Sequence, residues 1–339
     1  MRFGLPAGQP SGASEPVTAP FYRAFEDRHR GARELIKERL RVYLPFVRPL
    51  ARSQPGLAVL DLGCGRGEWL ELLLENNITA QGVDLDDGML AACRERGLSV
   101  AQGDALAHLA ARADQSLLAV TGFHLAEHLP FAVLQTLFAQ AHRVLAPGGL
   151  LILETPNPEN LLVGAASFYI DPTHQRPLPS QLLTFLAEHQ GFNPVKLLRL
   201  QEEARFAENQ PVSLYDVLAN VSPDYAIVAQ VSSAADPAQA LAPAFATECG
   251  VSLNALASRY DAHLQLRIEQ LRVQLGTQEQ ATQAAHGKAE EALALAHQTG
   301  TRADQLASQL SAVYASHSWR ISRPLRWLVR LFRGRSDRG

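Results

Sequence analysis

Cysteine, lysine and long apolar runs are all scarce in this chain, and each scarcity excludes a class of protein. Its 339 residues include three cysteines, Cys64, Cys93 and Cys249. Their unrelated spacings exclude a disulfide framework and a metal site built on paired cysteines. Free thiols are typical of a reducing compartment, so we expect a cytoplasmic protein. No apolar run approaches the ~20 residues of a membrane-spanning helix. Residues 1–20 lack the apolar core of a signal peptide, and we expect them to form a loose tail.

The charge of the chain is low overall but unevenly distributed. The formal net charge is −3, and only three of the 31 basic residues are lysines. Residues 317–339 hold seven arginines and one aspartate, so this segment carries +6 and the rest of the chain −9. The 7% aromatic and 19% charged content excludes a wholly disordered chain. At roughly 150 residues per domain, the length accommodates one full domain and additional segments.

Short apolar strands alternate with helical segments between residues 57 and 155. This alternation predicts a parallel sheet with helices on both faces. Strands are expected at 57–61, 79–84, 98–102, 117–121 and 150–154. Helices are expected between them at 67–76, 87–96, 104–112 and 130–145, with a turn at 147–149.

The flanking segments extend this alternation. Residues 21–55 have helical spacing, and Pro45 and Pro49 are expected to stop the helix. Residues 155–178 form a loop rich in proline and asparagine, and a structureless loop of that length is usually functional or mobile. The remaining elements of the domain, which we place at 56–232, are expected at 179–190 (helix), 192–200 and 225–232 (strands).

Glycines and acidic residues follow the first three predicted strands. Residues 61–67 end the first strand and include three glycines, which permit a tight turn and let backbone N–H groups approach a ligand. Asp84 ends the second strand, where a carboxylate can accept hydrogen bonds from ribose hydroxyls. Asp104, after the third strand, is placed to meet an adenine amino group. Ligands of open α/β sheets bind where such strand ends converge.

The chain resembles class I S-adenosylmethionine-dependent methyltransferases, nearest the ubiquinone/menaquinone-methyltransferase type, in five ordered motifs: DLGCGRG (61–67), GVDLD (82–86), GDA (103–105), EHL (127–129) and RVLAPGG (143–149). The resemblance implies an α/β fold, in which a Rossmann-like domain of seven strands follows a helical N-terminal lid. A nicotinamide-binding Rossmann domain is the rival interpretation, because it places the same acid on the ribose. The GxGxG spacing and the PGG segment argue against it.

The resemblance also implies which residues hold the donor, S-adenosyl-L-methionine. The glycine loop should wrap its methionine part, and the acid that ends the second strand should hold the ribose. Side chains just after the second and third strands should line the adenine, unless those after the second are ordinary core residues. Tyr22 and one of Arg28, Arg33 and Arg41, which we take as Arg33, should reach the donor's carboxylate. The expected donor contacts are Tyr22, Arg33, Asp61, Gly63, Gly65, Gly67, Asp84, Leu85, Met89, Asp104 and Ala105.

Four side chains are expected to act on the acceptor: His124, Glu127, His128 and His174. Transfer to a hydroxyl needs a group that removes the proton, and a histidine near its reference pKa of about 6.5 is a suitable base. The pattern also resembles the ExxEH…H arrangement of magnesium- or manganese-dependent O-methyltransferases, including small-RNA 3′-end 2′-O-methyltransferases. That resemblance implies a divalent metal on the same four residues, with His124 in place of the first glutamate shifting the preference towards Mn²⁺ or Zn²⁺. A purely structural role is the third alternative.

A heptad pattern without proline runs from residue 264 to 313. It predicts a helix over 245–315, either as a coiled coil that makes a homo-oligomer of two or three chains or as one long solvated helix. Residues 317–339 are expected to form a basic amphipathic helix, with arginines on one face and apolar side chains on the other. Such a helix suits an anionic membrane surface or a partner such as a glycosyltransferase, whereas its apolar face makes nucleic acid an unfavoured partner.

Two further segments, SWRISRPLR (318–326) and the loop from ETPNPEN to DPTH (154–174), resemble bacterial O-antigen or capsule methyltransferases. The resemblance implies methylation of a hydroxyl on a lipid-linked surface glycan at the cytoplasmic membrane face. Methylation of a quinone or another small molecule, and RNA 2′-O-methylation, are alternatives. The non-enzymatic alternative is a coiled-coil scaffold of a glycan-assembly complex, against which the intact glycine loop, Asp84 and Asp104 argue.

Overall fold

The computed structural model describes residues 31–206, 210–233 and 237–333, in two units that cover residues 1–263 and 264–339. Seven strands in the described part of the first unit form one sheet, in the order β3-β2-β1-β4-β5-β7-β6. They are β1 (Ala58–Leu62), β2 (Ala80–Asp84), β3 (Val100–Gln102), β4 (Leu117–Phe123), β5 (Leu145–Pro156), β6 (Phe192–Leu200) and β7 (Asp224–Val231). The first five run parallel, and β7 lies antiparallel between β5 and β6. The predicted Rossmann-like fold is confirmed.

Helices cover both faces of the sheet. They are α1 (Arg33–Leu40), α2 (Leu44–Ser53), α3 (Glu68–Glu75), α4 (Asp87–Glu95), α5 (Ala105–Ala110), α6 (Phe131–Val144), α7 (Leu161–Ala165), α8 (Ser180–His189), α9 (Leu214–Ala219) and α10 (Pro237–Ala246). Alternate residues of β5 enter two separate cores, Leu151 and Leu153 on one face and Leu150 and Ile152 on the other. Burial on both faces explains why β4 is buried along its whole length and mostly apolar rather than alternating.

The sequence predicts that the N-terminal helical segment stops at its prolines, but in the structure the helix continues through them. Helix α2 contains Pro45 in its first turn and Pro49 in its interior. In the first turn the missing N–H has no intrahelical acceptor to lose. The interior proline costs about 3 kcal/mol, and burial of Phe46, Val47 and Leu50 offsets it at about 1.5–3 kcal/mol for each side chain.

The 155–178 segment is not a structureless loop. It contains α7 and a 3₁₀ turn at Ser167–Ile170. Asn160 caps α7 by accepting a hydrogen bond from the Val163 N–H at 3.1 Å, and its amide donates to the carbonyls of Ala219 and Val221 at 2.8 Å. These bonds, made by a buried side chain, fix the start of the segment to the residues after α9.

The PGG segment at 147–149 is likewise part of β5 rather than a turn that precedes it. The register with β4 shifts there, between the pairs Leu117–Leu145 and Ala119–Leu150. A Cβ atom on Gly149 would lie 2.8 Å from the carbonyl oxygen of Ala146 and 3.0 Å from that of Leu118, so only glycine fits this irregular stretch.

The predicted long helix is present as α11 (Leu253–Ala315), and it runs through all three glycines of the heptad region. Its first turns belong to the first unit, where Leu256 packs against Phe206, Val217 and Val251. In the second unit, the leucines of the heptad seam are exposed along the single chain, and their pairing with another chain stays a prediction. Helices α12 (His317–Ile321) and α13 (Arg323–Arg333) follow. In the described ranges, no helix combines the length and apolar character needed to cross a membrane.

Candidate functional site

The glycine loop between β1 and α3 has a backbone shape that other residues do not readily adopt. Gly63, Gly65 and Gly67 have φ values of 68°, 50° and 77°, in the left-handed region. The N–H of Gly65 donates to Oδ2 of Asp84 at 2.8 Å, and the N–H of Asp86 donates to Oδ1 of the same carboxylate at 2.8 Å. Each oxygen keeps a second lone pair, so Asp84 can fix the loop and still accept ribose hydroxyls.

The residues predicted to meet the adenine are placed unevenly. Leu85 is 71% exposed next to Asp84, so it is not an ordinary core residue, whereas Met89 is buried at 8%. The Gly103 N–H donates to the Asp84 carbonyl at 3.0 Å, which brings the ends of β2 and β3 together. Asp104 is exposed there and caps α5 through the Ala107 N–H at 2.7 Å, with Ala105 as the first residue of that helix. An exposed leucine between two acids suits a flat base attached to a ribose, so these residues fit the donor.

Arg33, predicted to reach the donor's carboxylate, makes its contacts in the structure with the glycine loop and α3. Its guanidinium donates to the Arg66 carbonyl at 2.6 Å, pairs with Glu71, and lies 3.5 Å from Glu68. These bonds join α1 to α3 and to the glycine loop, and a contact of Arg33 with the donor's carboxylate stays a prediction. Arg39, on the same helix, lines the cavity described next. Tyr22, the other predicted carboxylate contact, lies outside the described residues.

A cavity of about 370 Å³, within the size range of small-molecule sites, is lined in part by Gly63 and Cys64 of the glycine loop and by Glu68 and Trp69 of α3. Helix α1, the ends of β1, β4 and β5, and the segment before α8 supply its walls. Its lining includes five carboxylate residues and a single arginine among the described residues. These are Asp61, Glu68, Glu154, Asp171, Asp224 and Arg39. Three of the four predicted acceptor residues, His124, His128 and His174, also line it. The fourth, Glu127, is fully buried behind them.

His124 lies between carboxylates at the end of β4, with an uncommon φ of 57° for a residue other than glycine. Its Nδ1 is 3.2 Å from Glu127 Oε1 and its Nε2 is 3.5 Å from Glu154 Oε1. Burial by itself would lower the pKa of His124, but hydrogen bonds with Glu127 and Glu154 and the charge of Asp224 raise it well above 6.5. This imidazole is therefore in its charged, doubly protonated form at neutral pH, which makes it a poor base.

The carboxylates around His124 are held in turn by other side chains. Tyr43 and Gln201 both donate to Glu154, the latter at 3.1 Å. Burial would raise the pKa of Glu127, but its hydrogen bond and charge interaction with His124 lower it overall. Burial, together with the charges of Glu154 and Glu127, raises the pKa of Asp224 to about 7, against the opposing effect of His124. Two of these carboxylates thus share one imidazolium, while Asp224 holds its proton up to neutral pH.

His128, unlike His124, is expected to be neutral at neutral pH. Burial lowers its pKa, and the charges of His174 and His124 act in the same direction against Glu127 and Asp171. Its Nδ1 lies 2.8 Å from the Thr173 hydroxyl, and its ring is 4.7 Å from that of His174. A neutral imidazole on the wall of a cavity is suited to accept a proton.

The four residues predicted as metal ligands are not gathered at one point. Glu127, His128 and His174 form one group whose ligand atoms lie within 4.8 Å of one another, while His124 groups with Glu154 and Asp224. Both oxygens of Glu127 are already used, one by His124 and the other by the Thr155 hydroxyl at 2.9 Å. The predicted four-ligand set therefore does not fit this arrangement, and we derive no step through a metal.

Sequence reasoning missed several residues of the site. Glu154 ends the fifth predicted strand, at the edge of the sheet where ligands bind, and its position alone could have identified it. Arg39 shares a helical face with the apolar residues Ile36 and Leu40, at the i, i+3 and i+4 spacing that marks one side of α1. Asp224 reaches the site only because β7 is antiparallel and pairs its first residue with Pro156 at the far end of β5.

Comparison with known proteins matches this site to one family. Residues 59–149 match the family model described as a methyltransferase domain. A solved structure of a SAM-dependent methyltransferase from Archaeoglobus fulgidus is 32% identical, with a TM-score of 0.55, over 62% of this chain and 99% of that one. The segment that the family model matches includes the glycine loop, Asp84, Asp104 and His124 to His128, which contains three of the residues predicted to act on the acceptor.

Curated relatives match a smaller part of the chain. A probable S-adenosylmethionine-dependent methyltransferase of Mycolicibacterium smegmatis is 32% identical over 161 residues, which are 47% of this chain and 61% of the relative. A ubiquinone biosynthesis O-methyltransferase of Methylococcus capsulatus is 32% identical over 110 residues, which are 31% of this chain and 46% of the relative. The chain thus spans less than two thirds of the length of these relatives.

Proposed function

The chain belongs to the class I S-adenosylmethionine-dependent methyltransferase family, and on that premise we propose that it methylates a hydroxyl group of a lipid-linked surface glycan. The donor would be held by the glycine loop, Asp84, Leu85 and Asp104, the residues whose geometry fits its methionine, ribose and base. When bound, the donor supplies an electrophilic methyl group. The chain's own residues then have to orient the acceptor and remove its proton.

The observation that carries the proposal is the position of His128 on the wall of a carboxylate-lined cavity, where burial lowers the pKa of its imidazole. A hydroxyl acceptor needs a base, and His128 is unprotonated at neutral pH, whereas His124 is not. Carboxylate, imidazole and amide side chains accept and donate hydrogen bonds, which suits a polyhydroxylated acceptor such as a sugar. The same excess of carboxylates repels anionic acceptors, so di- and tricarboxylates are poor candidates.

In the proposed reaction His128 removes the proton of the acceptor hydroxyl as its oxygen attacks the methyl carbon. His124, Glu127 and Glu154 act as a fixed framework beneath the acceptor, because the imidazolium satisfies both carboxylates. Tyr43 and Gln201 anchor that framework through Glu154. General-base catalysis of this kind contributes about 10²–10⁴-fold to a rate.

An uncharged surface next to the cavity supports an acceptor that carries a lipid. The segment 161–170 has no charged residue and contains α7 and the Ser167–Ile170 turn, of which Ser167 and Ile170 line the cavity. Its exposed apolar side chains continue onto α9, which packs on α7. The exposed members are Leu161, Leu162, Tyr169, Ile170, Leu214, Tyr215 and Leu218. Apolar patches of this kind typically contact a lipid or a partner.

The C-terminal part supports placement at a membrane surface and self-association. Helix α13 carries arginines at positions 323, 326 and 330, and Leu325, Trp327 and Val329 between them are exposed. A basic helix with exposed apolar side chains binds anionic bilayers. Exposed leucines along the heptad seam of α11 favour a homo-oligomer. Together these features would hold the enzyme at the cytoplasmic membrane face, where a lipid-linked glycan is at high effective concentration.

A labelled-methyl transfer assay tests the proposal. The purified chain is incubated with tritiated S-adenosylmethionine and, separately, with lipid-linked oligosaccharide, phenolic quinone precursors and RNA. We expect labelled glycan with the wild type and at least a hundredfold less with His128→Gln. Transfer to a quinone precursor or to RNA with none to glycan would overturn the acceptor assignment.

A matched variant separates an enzyme from a scaffold. Asp84→Ala should abolish donor binding in calorimetry and methyl transfer, because it removes both the ribose acceptor and the support of the Gly65 N–H. If Asp84→Ala cells make glycan of normal length and methylation, the chain acts as a scaffold and the enzymatic proposal is wrong.

A further inference from the structure

Behind His128, a short chain of hydrogen bonds connects its ring to a buried carboxylate. The Thr173 hydroxyl is 2.8 Å from His128 Nδ1 on one side and 2.6 Å from Asp171 Oδ1 on the other. The backbone N–H of Thr173 donates to the same Asp171 oxygen at 2.8 Å. Asp171 is only 9% exposed and, with His128, lines the cavity. None of these contacts is needed to form the sheet or its helices.

We propose that Thr173 and Asp171 are positioning residues that fix His128 as the tautomer with its proton on Nδ1 and a free lone pair on Nε2. This inference rests on the proposed function, since it explains how His128 would be ready to accept a proton. Both residues lie in the DPTH segment (171–174), and the sequence resemblance gives neither of them a catalytic role.

The donor and the acceptor in each of these hydrogen bonds follow from counting protons. A hydroxyl has one proton, and an ionised carboxylate can only accept, so the proton of Thr173 must point to Asp171 at 2.6 Å. Thr173 can then only accept from His128, which requires the imidazole proton to be on Nδ1. In a neutral imidazole the other nitrogen carries the lone pair. The opposite arrangement would place two lone pairs against each other between Thr173 and Asp171.

The segment that carries Thr173 is tied on both sides to the structure around His128. The Gln175 N–H donates to the carbonyl of Glu127, the residue before His128, at 2.8 Å. His174 places its Nδ1 2.6 Å from the Phe168 carbonyl and packs edge-on against the His128 ring. The hydroxyl is therefore held at a fixed distance from Nδ1, and the tautomer is set before an acceptor arrives.

Imidazole ¹⁵N chemical shifts of the full chain measure the tautomer directly. We expect the wild-type His128 signals to show a protonated Nδ1 and an unprotonated Nε2, assigned by their loss in His128→Gln. Thr173→Val keeps the shape of the side chain without its hydroxyl, and should give averaged or reversed shifts. Thr173→Ser keeps the hydroxyl and should restore the wild-type pattern. A protonated Nε2 in the wild type would overturn the proposal, whatever the behaviour of the variants.

Kinetics with the acceptor found above provide the second measurement. Thr173→Val should lower kcat at least about tenfold, with an unchanged KM for the donor and an unchanged unfolding midpoint, and Thr173→Ser should recover most of the rate. A purely structural role predicts that the unfolding midpoint falls while the tautomer and kcat are retained, and that result would refute the inference. Because the ¹⁵N shifts need no acceptor, a failed glycan assay with the expected tautomer would count against the proposed function alone.

Discussion

Gly67→Ala is expected to destabilise the first unit more than Gly97→Ala, for a reason that can be measured separately. Gly67 has a φ of 77°, and alanine in that region costs about 1–2 kcal/mol. A new Cβ would also lie 2.8 Å from Leu98 Cδ1 and 2.9 Å from Cys93 Sγ. Overpacking of a core typically costs about 1–3 kcal/mol. The expected loss in the free energy of unfolding is therefore about 2–5 kcal/mol.

Gly97→Ala is the matched control, because it has the same backbone strain without the crowding. Gly97 has a φ of 73°, and nothing lies within 4 Å of its added Cβ. Its expected cost is about 1–2 kcal/mol. The difference in the free energy of unfolding between the two variants isolates the packing of the glycine loop on two side chains. These are Cys93, in the last turn of α4, and Leu98, just after that helix.

Urea denaturation followed by Trp69 fluorescence measures this difference. Trp69 is buried in the first unit, and replacing Trp319 and Trp327 by phenylalanine leaves it as the only reporter among three tryptophans. We also expect Gly67→Ala, but not Gly97→Ala, to weaken donor binding at least about tenfold, because the loop must shift to admit the methyl group. Equal unfolding midpoints for the two variants would refute the packing argument.

Three other predictions follow from the site and the C-terminal segment. Because burial lowers the pKa of His128 below 6.5, the transfer rate should rise as the pH passes through that pKa and be constant above it. His128 should also destabilise the fold as the pH falls below 6.5. A transfer rate that still climbs above neutral pH would contradict the assignment of His128 as the base. Tyr43→Phe should lower the free energy of unfolding by about 1–3 kcal/mol in urea denaturation, because it removes the hydroxyl that donates to Oε2 of buried Glu154, while exposed Tyr314→Phe should have no effect. Removing 317–339 should leave donor affinity unchanged and lower binding to phosphatidylglycerol vesicles at least about tenfold; equal partitioning of both proteins would exclude the membrane role.

The succession of strands and helices along the chain and the position of the donor loop could be predicted because both follow from local patterns. Apolar runs separated by helical spacing place the ends of β1, β2 and β3 at one edge, whatever the details of packing. Asp84 and the glycine loop are therefore brought together by connectivity alone. Prolines 45 and 49 show the limit of local rules, since burial of their neighbours outweighs their preference to end a helix.

The acceptor side could be predicted only in part because it depends on long-range contacts. Tyr43 and Glu154 are 111 residues apart in the chain, and their hydrogen bond exists only once α2 covers β4 and β5. Asp224 enters the site through the antiparallel direction of β7, which no local pattern specifies. Arg33 and Arg39 are both arginines of α1. Only the folded structure shows that Arg33 contacts carboxylates of α3, whereas Arg39 lines the cavity.

The charges of the cavity residues determine which donor and acceptor the cavity favours. Buried carboxylates are costly unless they are paired. Here Glu127 and Glu154 share the imidazolium of His124, and Asp224 avoids the cost by keeping a proton up to a pKa of about 7. Glu68 is paired with Arg33 and Arg66, and Arg39 is the single lining arginine against Asp61 and Asp171 among the described residues, so the cavity keeps an excess of negative charge. That excess stabilises a positively charged sulfonium and a neutral polyol together, and it disfavours an anionic acceptor in the same space.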